Sequence, residues 1–303
     1  MNRDERNNLN AERYALQKMI AEVPADDVLD RLTLEARLRD VERQLAAGAA
    51  PTRLPMAATL TFRGQPVVAS QGVYAEFGMA ATQAFTRTVS TMAASFAGTL
   101  AATGPIPNQD QHQLLITSTA IGSFGFKLEE PGDALMFDIE TPVGHALVSP
   151  QKLLESTTGS DDDMTEGIAG TDPRVIKSAR DFLEVLAGGD AVCNLTVGTK
   201  TFRFADVAQV RRAIDRLAQE NIHEQDESFT GVFQGVLPKG RTFEFRIQND
   251  DTVLRGKIGS SVHEPAELNH HLDQPITVKF IATRVGNATP KYVLRDLPNW
   301  TSA

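Results

Sequence analysis

QLLITSTAIGSFGFKLEE, residues 113–130, holds two β-rich runs that meet at an Ile121-Gly122-Ser123 kink. In the first run Leu115, Thr117 and Thr119 alternate with Leu114, Ile116 and Ser118; in the second Phe124, Phe126 and Leu128 alternate with Gly125, Lys127 and Glu129. A period of two sends successive side chains to opposite faces of a strand. The first run therefore predicts a strand buried on both faces, and the second a strand buried on one. Helical patterns flank the pair, so it is expected to be the centre of an α+β core.

Upstream, Phe77, Ala81, Phe85, Met92, Phe96 and Leu100 share one face of a helix predicted over residues 73–102, with Thr59 to Phe62 as a short strand before it. The run Ala46 to Pro55 has the small-residue and proline content of a linker, placed at 48–56. Before it, Leu9, Leu16 and Val23 recur at sevens, and Leu34, Leu38, Val41 and Leu45 at fours and threes. Those spacings are coiled-coil seams. Pro24 breaks the first helix and the acids behind it cap the second, which predicts a helical hairpin over residues 1–47. Its short apolar stripe needs a partner, either its own core or another protein.

Downstream, Leu135 to Ile139 reads as a third strand, and residues 141–171, with a short helix at Gln151 to Ser156 and the acidic run Asp161, Asp162 and Asp163 after it, read as a flexible loop. Asp172 and Pro173 then start a helix that Gly188-Gly189 ends, and a hairpin turns at Gly198-Thr199. Another amphipathic helix carries Val207, Val210, Ile214 and Leu217, and completes a core domain over residues 57–225. From Ser228 five strands with a short helical insert between the third and fourth predict a small β-barrel over residues 228–303, OB-like in its element order.

The chain has one cysteine, Cys193, which excludes an internal disulfide and a multi-thiolate metal site. MNRDERNNLNAERY carries charges and no apolar core of a signal peptide, so a cytoplasmic location without membrane association is expected. Net charge is -9, yet residues 228–303 carry 9 Lys and Arg against 7 Asp and Glu, so only this part has a basic balance. Duplex binding normally asks for a concentrated basic face, so the acidic bulk of the chain weighs against non-specific DNA binding as the main role.

No phosphate-binding signature occurs. Gly122-Ser123-Phe124-Gly125 lacks a residue of the nucleophile elbow and joins two strands, so Ser123 reads as a turn residue. His112, His145, His223 and His263 are scattered, while His270 and His271 are adjacent and diverge on a helix; no metal site is expected. Asp161 and Asp163 have the first spacing of a calcium loop, but Glu166 or Pro173 breaks the pattern in either register. Cys193 lies between apolar strand residues, where a thiol is packing rather than a nucleophile.

These features predict a non-enzymatic interaction or adaptor protein of bacterial type, without a cofactor. It is expected to bind a protein partner or a second copy through Leu34, Leu38, Val41 and Leu45. An alternative is single-stranded nucleic-acid binding by the barrel, where Lys239, Arg241, Arg246, Arg255 and Lys257 interleave with aromatics. A further alternative is an enzyme whose site lies under the 141–171 segment, gathering His145 and Asp161 to Asp163.

Overall fold

In the computed structural model the described residues are 3–24, 27–47, 55–120, 124–131, 141–249 and 252–300. They fall into two units, with the N-terminal residues in the first and both the core and the barrel in the second.

The first unit contains α1 (Arg3–Glu22) and α2 (Val28–Ala47), which pack on each other. Leu16 of α1 and Val41 of α2 are buried, Leu34, Leu38 and Leu45 are half-buried, and Arg37 pairs with Glu12 at 2.7 Å. Tyr14, Met19 and Leu32 stay exposed. Residues 48–54 of the expected linker lie outside the described residues.

The second unit begins with β1 (Ala57–Gly64), a small ribbon of β2 (Val67–Val68) and β3 (Gly72–Val73), and α3 (Ala75–Ser95). β4 (Leu115–Ala120) and β5 (Phe124–Glu129) follow, then α4 (Pro142–Ser156), α5 (Asp161–Ile168), α6 (Pro173–Gly188), β6 (Ala191–Val197), β7 (Lys200–Arg203) and α7 (Val207–Arg216). The sheet order is β4-β5-β1-β6-β7, antiparallel throughout. Leu60 stands opposite Phe126 on one side and Leu195 on the other, so β1 is the central strand. The 113–130 pair is therefore displaced from the centre, and β4, expected to be buried on both faces, is the exposed edge. Gly125 permits the approach of β5 to β1, since a side chain there would run into the Leu60 carbonyl. The kink residues 121–123, with Gly122 and Ser123, and the expected strand 135–139 lie outside the described residues.

The helices α3, α4 and α6 supply the apolar layer. Phe85 of α3 meets Phe182 of α6 edge-on at 5.6 Å, and Leu147, Leu153 and Leu183 join the same buried cluster. α3 stops at Ser95, short of the expected residue 102: Gly98 takes φ +152°, a left-handed value that ends helical geometry. Phe96 is consequently partly exposed rather than core.

The expected 141–171 loop is two helices. Thr141 caps α4 by accepting from the Gly144 N–H at 2.9 Å, with Pro142 in the first position. Pro150 lies inside α4 and removes one N–H from the ladder, a cost of about 3 kcal/mol. Burial of Val143, Leu147, Leu153 and Leu154 offsets it. Ser160 and Asp163 form a reciprocal capping box for α5, and the three successive aspartates fill its first turn, where the helix dipole favours negative charge. The acidic run is thus a helix start.

The C-terminal part closes into a barrel of β8 (Ile222–Leu237), β9 (Thr242–Ile247), β10 (Val253–Ile258), β11 (Ile276–Val285) and β12 (Lys291–Leu294), with a 3₁₀ segment Pro265–His271 between β10 and β11. β10 and β12 are parallel; the other pairs are antiparallel. Phe233, Phe243, Phe245 and Phe280 fill the interior, with Phe243 stacked on Phe280 at 5.0 Å. The chain is accordingly a mixed α+β protein ending in a closed five-stranded barrel.

α5 fastens the barrel to the core. Asp161 pairs with Arg216 of α7 at 2.9 Å, the Val285 N–H donates to Thr165 Oγ1 at 3.0 Å, and the Thr289 N–H donates to Asp162 at 3.0 Å. Glu166 completes the clip through Lys257 at 3.0 Å and Lys291 at 3.4 Å.

Candidate ligand cleft on the barrel

A cleft of about 570 Å³ is lined by β9 and β10 and reaches the end of β8 and the start of β12. Its apolar lining includes Val236, Leu237 and Tyr292, and Leu237 is 67% exposed. Around this lining stand Arg255 and Lys257 of β10 and Lys291 of β12. Each cation meets a carboxylate: Arg255 with Glu244 at 2.9 Å, and Lys257 and Lys291 together with Glu166. Burial works to raise the Glu166 carboxyl, but the two lysines outweigh it and hold the group below its ordinary range. Tyr292 donates to Glu227 at 3.3 Å, and its phenol is raised by burial first and then by that carboxylate.

Of the five barrel cations singled out from the sequence, Arg255 and Lys257 share this cleft and three do not. Arg241 turns its guanidinium onto the carbonyls of Ile258, Gly259 and Val262, which makes it a clasp for the chain after β10; burial lowers its pKa. Arg246 lines a separate, smaller depression with Val232 and Pro275. Lys239 is exposed in the turn between β8 and β9. Lys291 and Glu166 belong to the cleft and were not among the candidates. Glu166 is 91 residues from Lys257, and no local pattern announces a pairing over that distance.

The remaining candidates are engaged elsewhere. Cys193 is 2% exposed, opposite Phe62 in the sheet, and burial pushes its thiol up to about 12. His145 packs edge-on against Phe96 at 5.8 Å, while Asp161 and Asp162 serve the α5 clip. His112 is buried and its carbonyl accepts from Ser90 at 2.7 Å. Among the described residues no group of three His, Cys, Asp or Glu side chains could hold a metal ion, and no helix is long and apolar enough to cross a membrane.

No family model, curated protein or solved structure matches this chain. The functional reading therefore rests on the cleft itself.

Proposed function

We propose that this chain is a non-catalytic binding protein whose barrel is an OB-like recognition module for an acidic segment of a protein partner. Taken from β8, the strands run around the barrel as first, second, third, fifth and fourth, with third and fifth parallel and the 3₁₀ segment between third and fourth. In OB barrels the face of strands two and three is the recognition surface. Here those strands are β9 and β10, which line the cleft.

The observation that carries the reading is that the cleft's three cations already hold carboxylates beside an apolar lining. Carboxylates of a partner can take the places of Glu166 and Glu244, while an apolar side chain rests against Leu237 and Tyr292. A single-stranded nucleic acid would need exposed aromatic faces on which bases stack. Phe233, Phe245 and Phe280 are fully buried, and of the rings in the cleft's lining Phe243 is 2% exposed and Tyr292 half-buried, which leaves little face for a base. We also read α1 and α2 as a hairpin available to a partner, on the exposure of Tyr14, Met19 and Leu32.

The test is fluorescence anisotropy with a labelled peptide of alternating Glu and Phe, beside a labelled oligothymidine, in salt of about 0.15 M, where the Debye length is about 8 Å. The peptide is expected to bind wild type and to lose at least about tenfold in affinity against Arg255→Glu with Lys257→Glu, each reversal costing on the order of 1 kcal/mol. Oligothymidine binding with a steep salt dependence, and no peptide binding, would transfer the cleft to nucleic acid. Absence of both would remove it as a binding site.

A further inference from the structure

A second cleft, of about 480 Å³, shares no residue with the barrel cleft and is lined by α3, residues 104–114 and the first turn of α6. From α3 it takes Gln83, Thr86, Arg87 and Ser90, whose spacing of threes and fours puts them on one helical face. Gln109 and Gln113 come from the segment after α3, and Arg174 from α6. The chain carries a net charge of -9, yet this lining holds two arginines and no carboxylate. Arg174 is 8% exposed, and its guanidinium donates to the carbonyls of Ala101 at 3.1 Å, Pro105 at 3.4 Å and Gly104. All three partners are neutral. Asp172, two residues earlier, turns its oxygens to the backbone N–H groups of Arg174 and Leu100. Arg241 also binds carbonyls but is half-buried, so water still screens its charge. Arg174 is a buried cation, costly unless a counter-charge meets it, and among the described residues it pairs with no carboxylate. Arg87, exposed on the neighbouring wall, pairs with none there either.

We propose that this cleft binds a phosphate group, free or carried on a small polar molecule, between Arg87 and Arg174. The charge count selects it: a phosphate monoester brings about -1.5 to -2 and three acceptor oxygens, which matches two guanidinium groups, whereas a single carboxylate brings half that charge. The hydroxyls of Ser90 and Thr86 already donate to the carbonyls of His112 at 2.7 Å and Gln83 at 3.0 Å. The donors left for an anion are therefore the two arginines and the amides of Gln83, Gln109 and Gln113. An amide also accepts, so the glutamines suit the hydroxyl groups of a molecule that carries the phosphate.

Isothermal titration calorimetry on the full chain tests this with inorganic phosphate, glycerol phosphate and glycerol. Both phosphates are expected to bind and glycerol is not; tighter binding of the ester identifies a carried phosphate, and equal binding a free one. Arg174→Gln removes the clasp on residues 101–105 and puts the fold at risk, so the deciding variant is Arg87→Gln, at an exposed position. It should weaken both phosphates at least about tenfold through loss of a charge-assisted contact. Lys200→Gln, an exposed cation on β7, should leave binding unchanged. The proposal is overturned if neither phosphate binds at millimolar concentration, if glycerol binds as well as its ester, or if folded Arg87→Gln binds as wild type does. Loss of binding in Arg255→Glu with Lys257→Glu would move the phosphate to the barrel cleft and overturn it too.

Discussion

Glu166 holds two positions at once, as a fastener of α5 and as the carboxylate between Lys257 and Lys291. Because its folded pKa lies below the ordinary value of 4.5, the stabilisation it contributes is present above that value and is lost as pH falls through the folded one. Glu166→Gln should therefore lower the urea midpoint at neutral pH and converge with wild type in acid; an equal deficit at both pH values would refute the ion-pair origin. The same variant removes a competitor from the lysines and should tighten binding of the acidic peptide. Arg241 has a different expectation although it stands on the same barrel. Arg241→Ala removes the guanidinium donor from the carbonyls of Ile258, Gly259 and Val262, of which Gly259 keeps the Val262 N–H, and should cost about 1–3 kcal/mol in denaturant unfolding. Arg241→Lys should recover little, since an ammonium lacks the planar fork. From sequence, Arg241 and Arg255 are both basic residues in a β-rich segment. What separates them is whether a carbonyl cluster or a cleft lies within reach, and that depends on how distant segments fold together.

At the scale of elements, local chemistry was legible where it was self-contained. Asp172 and Pro173 start α6 as their residue types require, with Asp172 accepting from the Arg174 N–H at 2.9 Å, and the 193–204 hairpin turns at Gly198. α4 and α5 were obscured because Pro150 and three adjacent aspartates are loop signals when read alone; one is offset by burial, the others occupy a first turn. The centrality of β1 was illegible for another reason. Pairing with β5 and β6 is a long-range matter, and Thr59 to Phe62 look no different in a central strand from an edge strand. Thr165 offers a direct test of α5 as a clip. Thr165→Val keeps the shape but removes the oxygen that accepts from the Val285 N–H, leaving a buried donor unpaired at a cost of about 1–3 kcal/mol. Hydrogen exchange should accelerate at Val285 before it does at amides of β6. Unchanged protection at Val285 would mean that the hydroxyl is dispensable.

For the whole second unit, the sheet core and the barrel interior are two separate apolar clusters. They are joined at one end, where Ile222 and Val285 of the barrel strands belong to the sheet's cluster, and along α5, which reaches from Arg216 to Lys291. Coupling through buried contacts makes two cores unfold as one, whereas loss of coupling lets the less stable core open first. Trp300, the sole tryptophan, stacks on His271 at 4.1 Å and packs on the barrel cluster, so its fluorescence reports that core alone. Helical circular dichroism reports chiefly on α3, α4 and α6 and on the N-terminal pair. In urea, wild type should show Trp300 fluorescence changing together with the loss of helix from the sheet core. The combined variant Asp162→Asn, Thr165→Val and Glu166→Gln weakens the clip at three points while leaving both interiors untouched. Its fluorescence transition should move to lower urea and separate from the helical one, with the slope of each becoming shallower as less surface is exposed per step. Coincident transitions in that variant would place the coupling at Ile222 and Val285 and reduce α5 to an ornament of the interface.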